Sequence, residues 1–405
     1  MTNSADKGLL PAGMRDVLPP DAAFEADIVG HLVTLFAAHG YERVKPPLLE
    51  FEDTLLAGNG AAVSGQTFRL MDPDSHRMMT LRPDMTLQVA RIAATRLKRR
   101  PRPLRLCYAG QVLRVKGTQL RSERQFGQVG AELIGAASAA ADVEIILMGI
   151  ETLAEMGVRQ ISVDIGMPTL APALLADRNL ATNLLSQLRQ ALDRKDTAAI
   201  ASLGPVLGLA DGERLAATLG AMLAAAGPAT DALAQLAKLD LPRAASAERA
   251  ALSEVVRGVV DGLGGIDAGS VSLTVDPVEN RGFEYHSGAT FTFFASGVRG
   301  ELGSGGRYLA GNGSADAEPA TGLTFFTDTL LSALPRPAPA RSLYLPREVP
   351  ADEARRLRRD GWITVAALDP DPDPIATART MGCGHIWEKG RPTPVDISNK
   401  TNERE

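Results

Sequence analysis

Residues 104–135, LRLCYAGQVLRVKGTQLRSERQFGQVGAELIG, set Arg114, Arg124, Gln128 and Glu132 beside or inside runs that are otherwise apolar enough for a core. A charge next to a buried strand is costly unless it is paired or faces a ligand. Two arrangements meet that condition. Arg114 and Glu132 can pair with each other and brace the sheet. Alternatively, Arg114 holds a carboxylate or phosphate and Glu132 holds an ammonium, which makes an anion-and-amine site on a sheet floor.

Two strands must position these groups. Leu104, Leu106 and Tyr108 alternate in a run that extends to Leu113, Gly117 breaks the pattern, and Gln125 to Ile134 resumes it. Upstream, Phe24, Ile28, Leu32, Leu35 and Phe36 recur at helical spacing over Asp21 to His39, with Asp21 and Glu25 in the first turn and Gly40 as the stop. YERVKPPLLE then reads as the strand of a helix–Gly–strand unit, and residues 52–75, rich in Gly, Ala and Ser, predict a loop. Met78–Leu81 predicts a short strand and a helix starts near Met85. Asp84 can serve that helix as its N-cap, or join Thr86, Gln128 and Glu132 around an amine.

Further on, a helix is expected over Asp142 to Met156, a strand over Ile161 to Ile165, and an Ala/Leu-rich helical insertion over 168–262 that carries no chemistry. Strand patterns return at Val271–Val275 and Thr290–Phe294, and the glycines of 303–311 suit a turn. After a Pro-rich linker near 335–340, residues 341–405 predict strand (Ser342–Leu345), helix (Ala351–Asp360), strand (Trp362–Ala367), helix (Pro374–Met381) and strand (His385–Glu388), with a polar tail. Two domains are therefore expected, 1–335 and 341–405.

A chain of 405 residues with 45% hydrophobic residues can bury a large core, and a formal charge of −5 gives no whole-chain pull toward nucleic acid or membrane. The basic run RLKRRPRPLR (96–105) suits a solvated helix end better than a tRNA-phosphate patch. Cys107 and Cys383 are too few for a disulfide framework or a four-cysteine metal site, and both suit small buried positions. No apolar run approaches the ~20 residues that span a bilayer. The opening MTNSADKGLLPAG lacks the charged and apolar regions of a secretory leader, so a cytoplasmic location is expected.

The pattern Tyr108, Gly110, Arg114, then Arg124, Gln125, Phe126, Gln128, Gly130 and Glu132 resembles motif 2 of class II aminoacyl-tRNA synthetases, that of histidyl-tRNA synthetase in particular. GMRDVLP near the start, LRPDMT at 81–86, RGFEYHSG at 281–288 and GGRY at 305–308 match that family's remaining stretches in order. The resemblance implies an α+β fold with an antiparallel sheet flanked by helices, and a homodimer formed through the motif 1-like region around Gly40 to Glu50. It implies a histidine site as well. Asp84, Thr86, Gln128 and Glu132 would hold the amino group, Arg281 or Arg114 the carboxylate, and Tyr308 the ring. His286 takes the place of a second ring-contacting Tyr, beside Tyr285.

Two departures remove the nucleotide chemistry. Lys116 stands where the family has the Glu that recognises adenine. In the motif 3 position, Gly322 is kept, Phe326 replaces the second Gly, and Asp328–Thr329 replace Glu-Arg. A Thr cannot clamp a triphosphate as a guanidinium does. With the short C-terminal domain, these changes make the chain similar to the regulatory subunits of ATP phosphoribosyltransferase, a paralogous family. That resemblance implies no catalytic residue, cofactor or metal of its own, and a short catalytic subunit as partner in a hetero-octamer built on homodimers. It also implies L-histidine as the effector that inhibits the first step of histidine biosynthesis. The alternatives are an active histidyl-tRNA synthetase, or an orphan amino-acid- or tRNA-binding paralogue.

Overall fold

The structure is a computed structural model. It describes residues 8–396 except 119–120, 177, 179, 208–210, 267–270, 280–285, 312–316 and 339. The chain forms two compact units, Met1–Pro335 and Arg336–Glu405.

In the first unit, α1 (Asp21–Ala38) buries Ile28, Leu32 and Phe36, the stripe that its spacing announces. It stops where Gly40 takes φ +84°, and the Tyr41 amide turns back to the Phe36 carbonyl at 3.1 Å. The expected strand after it is only β1 (Glu42–Arg43), because Pro46 and Pro47 have no amide to continue a ladder. Residues 52–75 are not the loop that their composition suggests. After β2 (Leu49–Phe51) come α2 (Glu52–Leu55), a 3₁₀ segment over Gly58–Gln66, and β3 (Arg69–Met71), which joins β2 and β4 (Met78–Leu81) in a small sheet of order β2-β4-β3. Buried Leu55 and Val63 and the Arg69–Glu52 and Arg77–Asp53 ion pairs give this stretch its order.

The larger sheet follows α3 (Thr86–Thr95). Strands β5 (Leu104–Leu113) and β6 (Gln125–Ile134) pair antiparallel, α4 (Ala139–Glu155) crosses behind them, and β7 (Ile161–Gly166) comes next. Helices α5 (Leu170–Leu175), α6 (Thr182–Asp193), α7 (Thr197–Leu203) and α8 (Gly212–Ala224) precede β8 (Gly227–Pro228). Then come α9 (Ala229–Leu236), α10 (Arg243–Gly262) and β9 (Val271–Asp276). The unit closes with β10 (His286–Ala295), β11 (Gly303–Ala310), β12 (Glu318–Phe326) and α11 (Thr327–Ala333). Among the described residues the order is β1-β5-β6-β12-β11-β10-β7-β9-β8. The run from β5 to β7 is antiparallel throughout. Gly303, Gly305 and Gly306 lie inside β11, not in the turn that their number suggested.

Strand alternation gives this sheet two unlike faces. On the back, Val129, Leu133, Leu323, Phe325, Phe291 and Phe293 are buried with Phe36 of α1 and with Ile145, Ile146 and Ile150 of α4. Phe325 stacks on Phe36 at 6.3 Å between ring centroids and touches Phe293 at 5.4 Å. Each such side chain contributes roughly 1.5–3 kcal/mol by leaving water. On the front, the register sets Gln128 opposite Gly110 and Phe326, and Glu132 opposite Leu106 and Gly322. It also sets His286 opposite Tyr308. Two glycines keep that face open. A Cβ on Gly130 would lie 2.4 Å from the Tyr108 hydroxyl, and one on Gly322 would lie 1.9 Å from a Glu132 oxygen.

The second unit is a four-stranded sheet of order β14-β13-β15-β16 with two helices. Its elements are β13 (Ser342–Leu345), α12 (Ala351–Arg359), β14 (Ile363–Ala366), α13 (Pro374–Thr380), β15 (His385–Glu388) and β16 (Arg391–Pro394). The pattern does not announce β16, whose two prolines sit at the sheet edge, the place where a strand tolerates them. Among the described residues no helix is long and apolar enough to cross a membrane.

Candidate functional site

A cavity of about 550 Å³ opens over the front face. Its inner end is Glu132, only 1% exposed. Tyr308 donates to Glu132 Oε2 at 2.9 Å and Tyr108 to Oε1 at 3.4 Å. The Tyr108 hydroxyl also meets Thr324 Oγ1 at 2.7 Å and Thr86 Oγ1 at 3.2 Å. Among the described residues Glu132 forms no ion pair, so the bracing Arg114–Glu132 pair that the sequence left open is not the arrangement found. Burial pushes the Glu132 carboxyl up from its ordinary 4.5 to about 8. The Asp84 charge adds to that rise, and the hydroxyls of Thr86, Tyr308 and Tyr108 oppose it. Burial likewise lifts the Tyr108 phenol well above its usual range, so it is a donor and not a phenolate.

Next along the cavity comes Asp84, which is not the N-cap of α3; that position is Met85, one residue later. Asp84 Oδ1 accepts the Thr86 amide at 2.8 Å at the start of α3, and its Oδ2 accepts from Gln128 Nε2 at 2.8 Å. Gln128, itself 1% exposed, takes the Met85 amide on its carbonyl at 3.0 Å. One amide side chain thus ties the sheet floor to the helix start and fixes a carboxylate facing the cavity. Arg114 lines the same wall, where its Nε donates to the Pro83 carbonyl at 3.2 Å.

The far end is lined by Lys116, Gly117, Arg121, Phe126, Phe326 and Thr329. Arg121, from the loop between β5 and β6, pairs with Asp328 of α11 at 2.8 Å, with side-chain exposures of 9% and 12%. Its guanidinium lies 3.8 Å from the centroid of Phe326 and 4.7 Å from that of Phe126, and the two rings meet edge to face at 5.9 Å. Thr329 turns its hydroxyl back to the Phe326 carbonyl at 3.1 Å. Where the resemblance locates a triphosphate clamp, this chain has its own ion pair between two aromatic rings.

A family model described as histidyl-tRNA synthetase matches residues 13–330. The chain is 56% identical over 385 residues to a relative in Paramagnetospirillum magneticum named ATP phosphoribosyltransferase regulatory subunit, a match covering 95% of this chain and 97% of that one. A relative of the same name in Rhodospirillum centenum is 53% identical, covering 96% of each.

The chain belongs to the histidyl-tRNA synthetase-like family of ATP phosphoribosyltransferase regulatory subunits.

A solved structure described as an ATP phosphoribosyltransferase regulatory subunit/histidyl-tRNA synthetase from Bacillus halodurans C superposes with a TM-score of 0.78 at 26% identity, covering 92% of this chain and 96% of that one. The histidyl-tRNA synthetase of Nostoc sp. PCC 7120, at 18% identity, TM-score 0.75 and coverage of 94% and 90%, shares the fold. These likenesses bear out the α+β, class II synthetase-like fold class.

Asp84, Thr86, Arg114, Gln128, Glu132, His286 and Tyr308 all line the one cavity. Arg281 and Tyr285 lie outside the described residues. Arg124 instead ties down the N-terminal segment, donating to the Ala12 carbonyl at 3.1 Å. Sequence reasoning missed Arg121, a lone Arg in a polar loop that nothing marked. It also missed Asp164, Glu279 and Glu301 on the cavity rim. In the basic run, Arg100, Arg102 and Arg105 hold Glu42, Glu318 and Glu144, which leaves those three little charge for a phosphate backbone. Both cysteines are buried thiols, as expected.

Proposed function

We propose that the chain is a non-catalytic regulatory subunit of ATP phosphoribosyltransferase that senses L-histidine for the first step of histidine biosynthesis, in the cytoplasm. It acts through a short catalytic subunit, in a hetero-octamer built on homodimers that pair through the region around Gly40 to Glu50. The observation that carries this reading is the cleft itself, acidic at the amino-acid end and, at the end where a nucleotide clamp would stand, lined by an Arg121 already paired with Asp328. Free histidine places its ammonium at Asp84, Thr86 and Gln128, its carboxylate at Arg114 or Arg281, and its ring between His286 and Tyr308, against Glu132, which the family resemblance sets at the ammonium instead. Such a ligand inhibits only by binding two conformations of the assembly unequally.

The experiment is reconstitution. The catalytic subunit is assayed alone, with the purified chain, and with the chain plus histidine. Activity that needs the chain and falls with histidine is the expected result, together with no histidine-dependent exchange of pyrophosphate into ATP by the chain alone. Measurable exchange would make it a synthetase instead.

A further inference from the structure

Glu132 sits four residues from Gln128 on the same face of β6, about 13 Å along the strand at ~3.3 Å per residue. The cavity therefore offers a ligand two different acidic ends. Asp84 is half-buried and held by an amide N–H and a side-chain amide, so it suits a full positive charge. Glu132 is enclosed, with a phenol aimed at each oxygen. The titratable or charged groups facing it are Asp84 before α3, Tyr108 on β5, Tyr308 on β11 and His286 on β10, with Arg114 on the wall of the same cavity. Among the described residues none of the cations pairs with it.

We propose that Glu132 carries a proton in the empty pocket and hands it to the ring nitrogen of an arriving imidazole side chain, so that the pocket selects a ring basic enough to take it. The inference rests on the histidine reading above. In the step, the carboxyl O–H bond breaks and an N–H bond forms on the ring. A carboxylate then faces an imidazolium, and no proton passes to solvent. The two phenols already point at the oxygens that become charged, so the new carboxylate is solvated without rearrangement. An imidazole, with an ordinary pKa of about 6.5, and a buried acid titrating near neutrality are closely matched, and the attraction between the resulting ions tips the balance. The buried carboxyl, raised to about 8, is in its acid form at neutral pH. An ammonium at the same spot would have to expel that proton, because it arrives with no vacancy for it.

The two cases differ by one counted proton. Histidine is titrated into the full-length chain at pH 7.5 in phosphate and in Tris, buffers with unlike heats of ionisation, and the bound ligand is examined by NMR with ring-¹⁵N histidine. Equal heats in both buffers and imidazolium shifts on the bound ring, at a pH where free histidine has a neutral ring, are expected. Glu132→Gln should bind histidine tenfold or more weakly, with the bound ring neutral. One proton released per ligand, or a neutral ring bound to the unsubstituted chain, would overturn the proton transfer and leave histidine sensing intact. No binding of histidine at all would overturn the sensing reading, and this inference with it.

Discussion

Strands β6 and β12 run side by side from Glu132 and Gly322 at one end of the cleft to Gln128 and Phe326 at the other. At the first end a glycine clears room for a carboxyl group, which is buried, has no cation partner among the described residues and is ringed by hydroxyls. At the second, a phenylalanine and an internal Arg–Asp pair line the cleft. Both ends bury an acid, by opposite means. The Arg121–Asp328 pair neutralises its own charge through Asp328 Oδ2, although Asp328 Oδ1 is buried without a hydrogen-bond partner among the described residues. Glu132 has no cation partner among the described residues and gains most when a base arrives to take its proton. One sheet thus carries an enclosed acid at one end and an internal ion pair at the other, set by single front-face positions and by the short helix that follows.

The largest expected effect breaks the ion-paired end. Asp328→Ala leaves Arg121 buried without its partner, and loss of one member of a buried pair costs about 3–5 kcal/mol. Denaturant unfolding should show that loss, with histidine affinity changed less than twofold. A variant as stable as the unsubstituted chain would mean that the pair does not hold this end together.

The second prediction sharpens the Glu132 end through pH. Below about 4.5 both the folded and the unfolded chain keep the Glu132 proton. Between there and about 8 only the unfolded chain releases it. Folded stability is therefore lost as pH rises through this window, by up to roughly 1.4 kcal/mol per pH unit, and levels off above it. Glu132→Gln has no such slope. The difference in unfolding free energy, taken without ligand, should move in favour of the variant from pH 5 to 8. A constant difference would place a charged carboxylate in the empty pocket.

The third and smallest concerns the ammonium. Asp84→Asn keeps an acceptor for the Thr86 amide but loses the charge, and a hydrogen bond to a charged group is worth about 1.5–3 kcal/mol. Histidine should bind roughly tenfold to a hundredfold more weakly by calorimetry, with little change in thermal melting. Unchanged affinity would leave Asp84 only its bonds to the Thr86 amide and Gln128.

Much of this was legible in the chain because buried strands alternate. The bounds of β5 and β6 follow directly from apolar spacing, and so does the buried stripe of α1. Residues 52–75 and β16 were not, since ion pairs and edge position order them, not periodicity. The amino-acid end was legible through motif order. Tyr308 and Glu132, 176 residues apart, are brought together only by the sheet register. Arg121 and Asp328, 207 residues apart, left no trace in spacing or composition. The Phe326 and Thr329 substitutions announced that a clamp was missing, and gave no hint of what had taken its place.

One titration tests the central claim most directly: histidine added to the purified chain, with and without magnesium ATP. The account predicts one histidine per chain, with the same affinity and heat in both, because Thr329 stands where a clamping Arg would and Arg121 is already paired with Asp328. ATP that binds on its own in this cleft, or that tightens histidine binding severalfold, would contradict it.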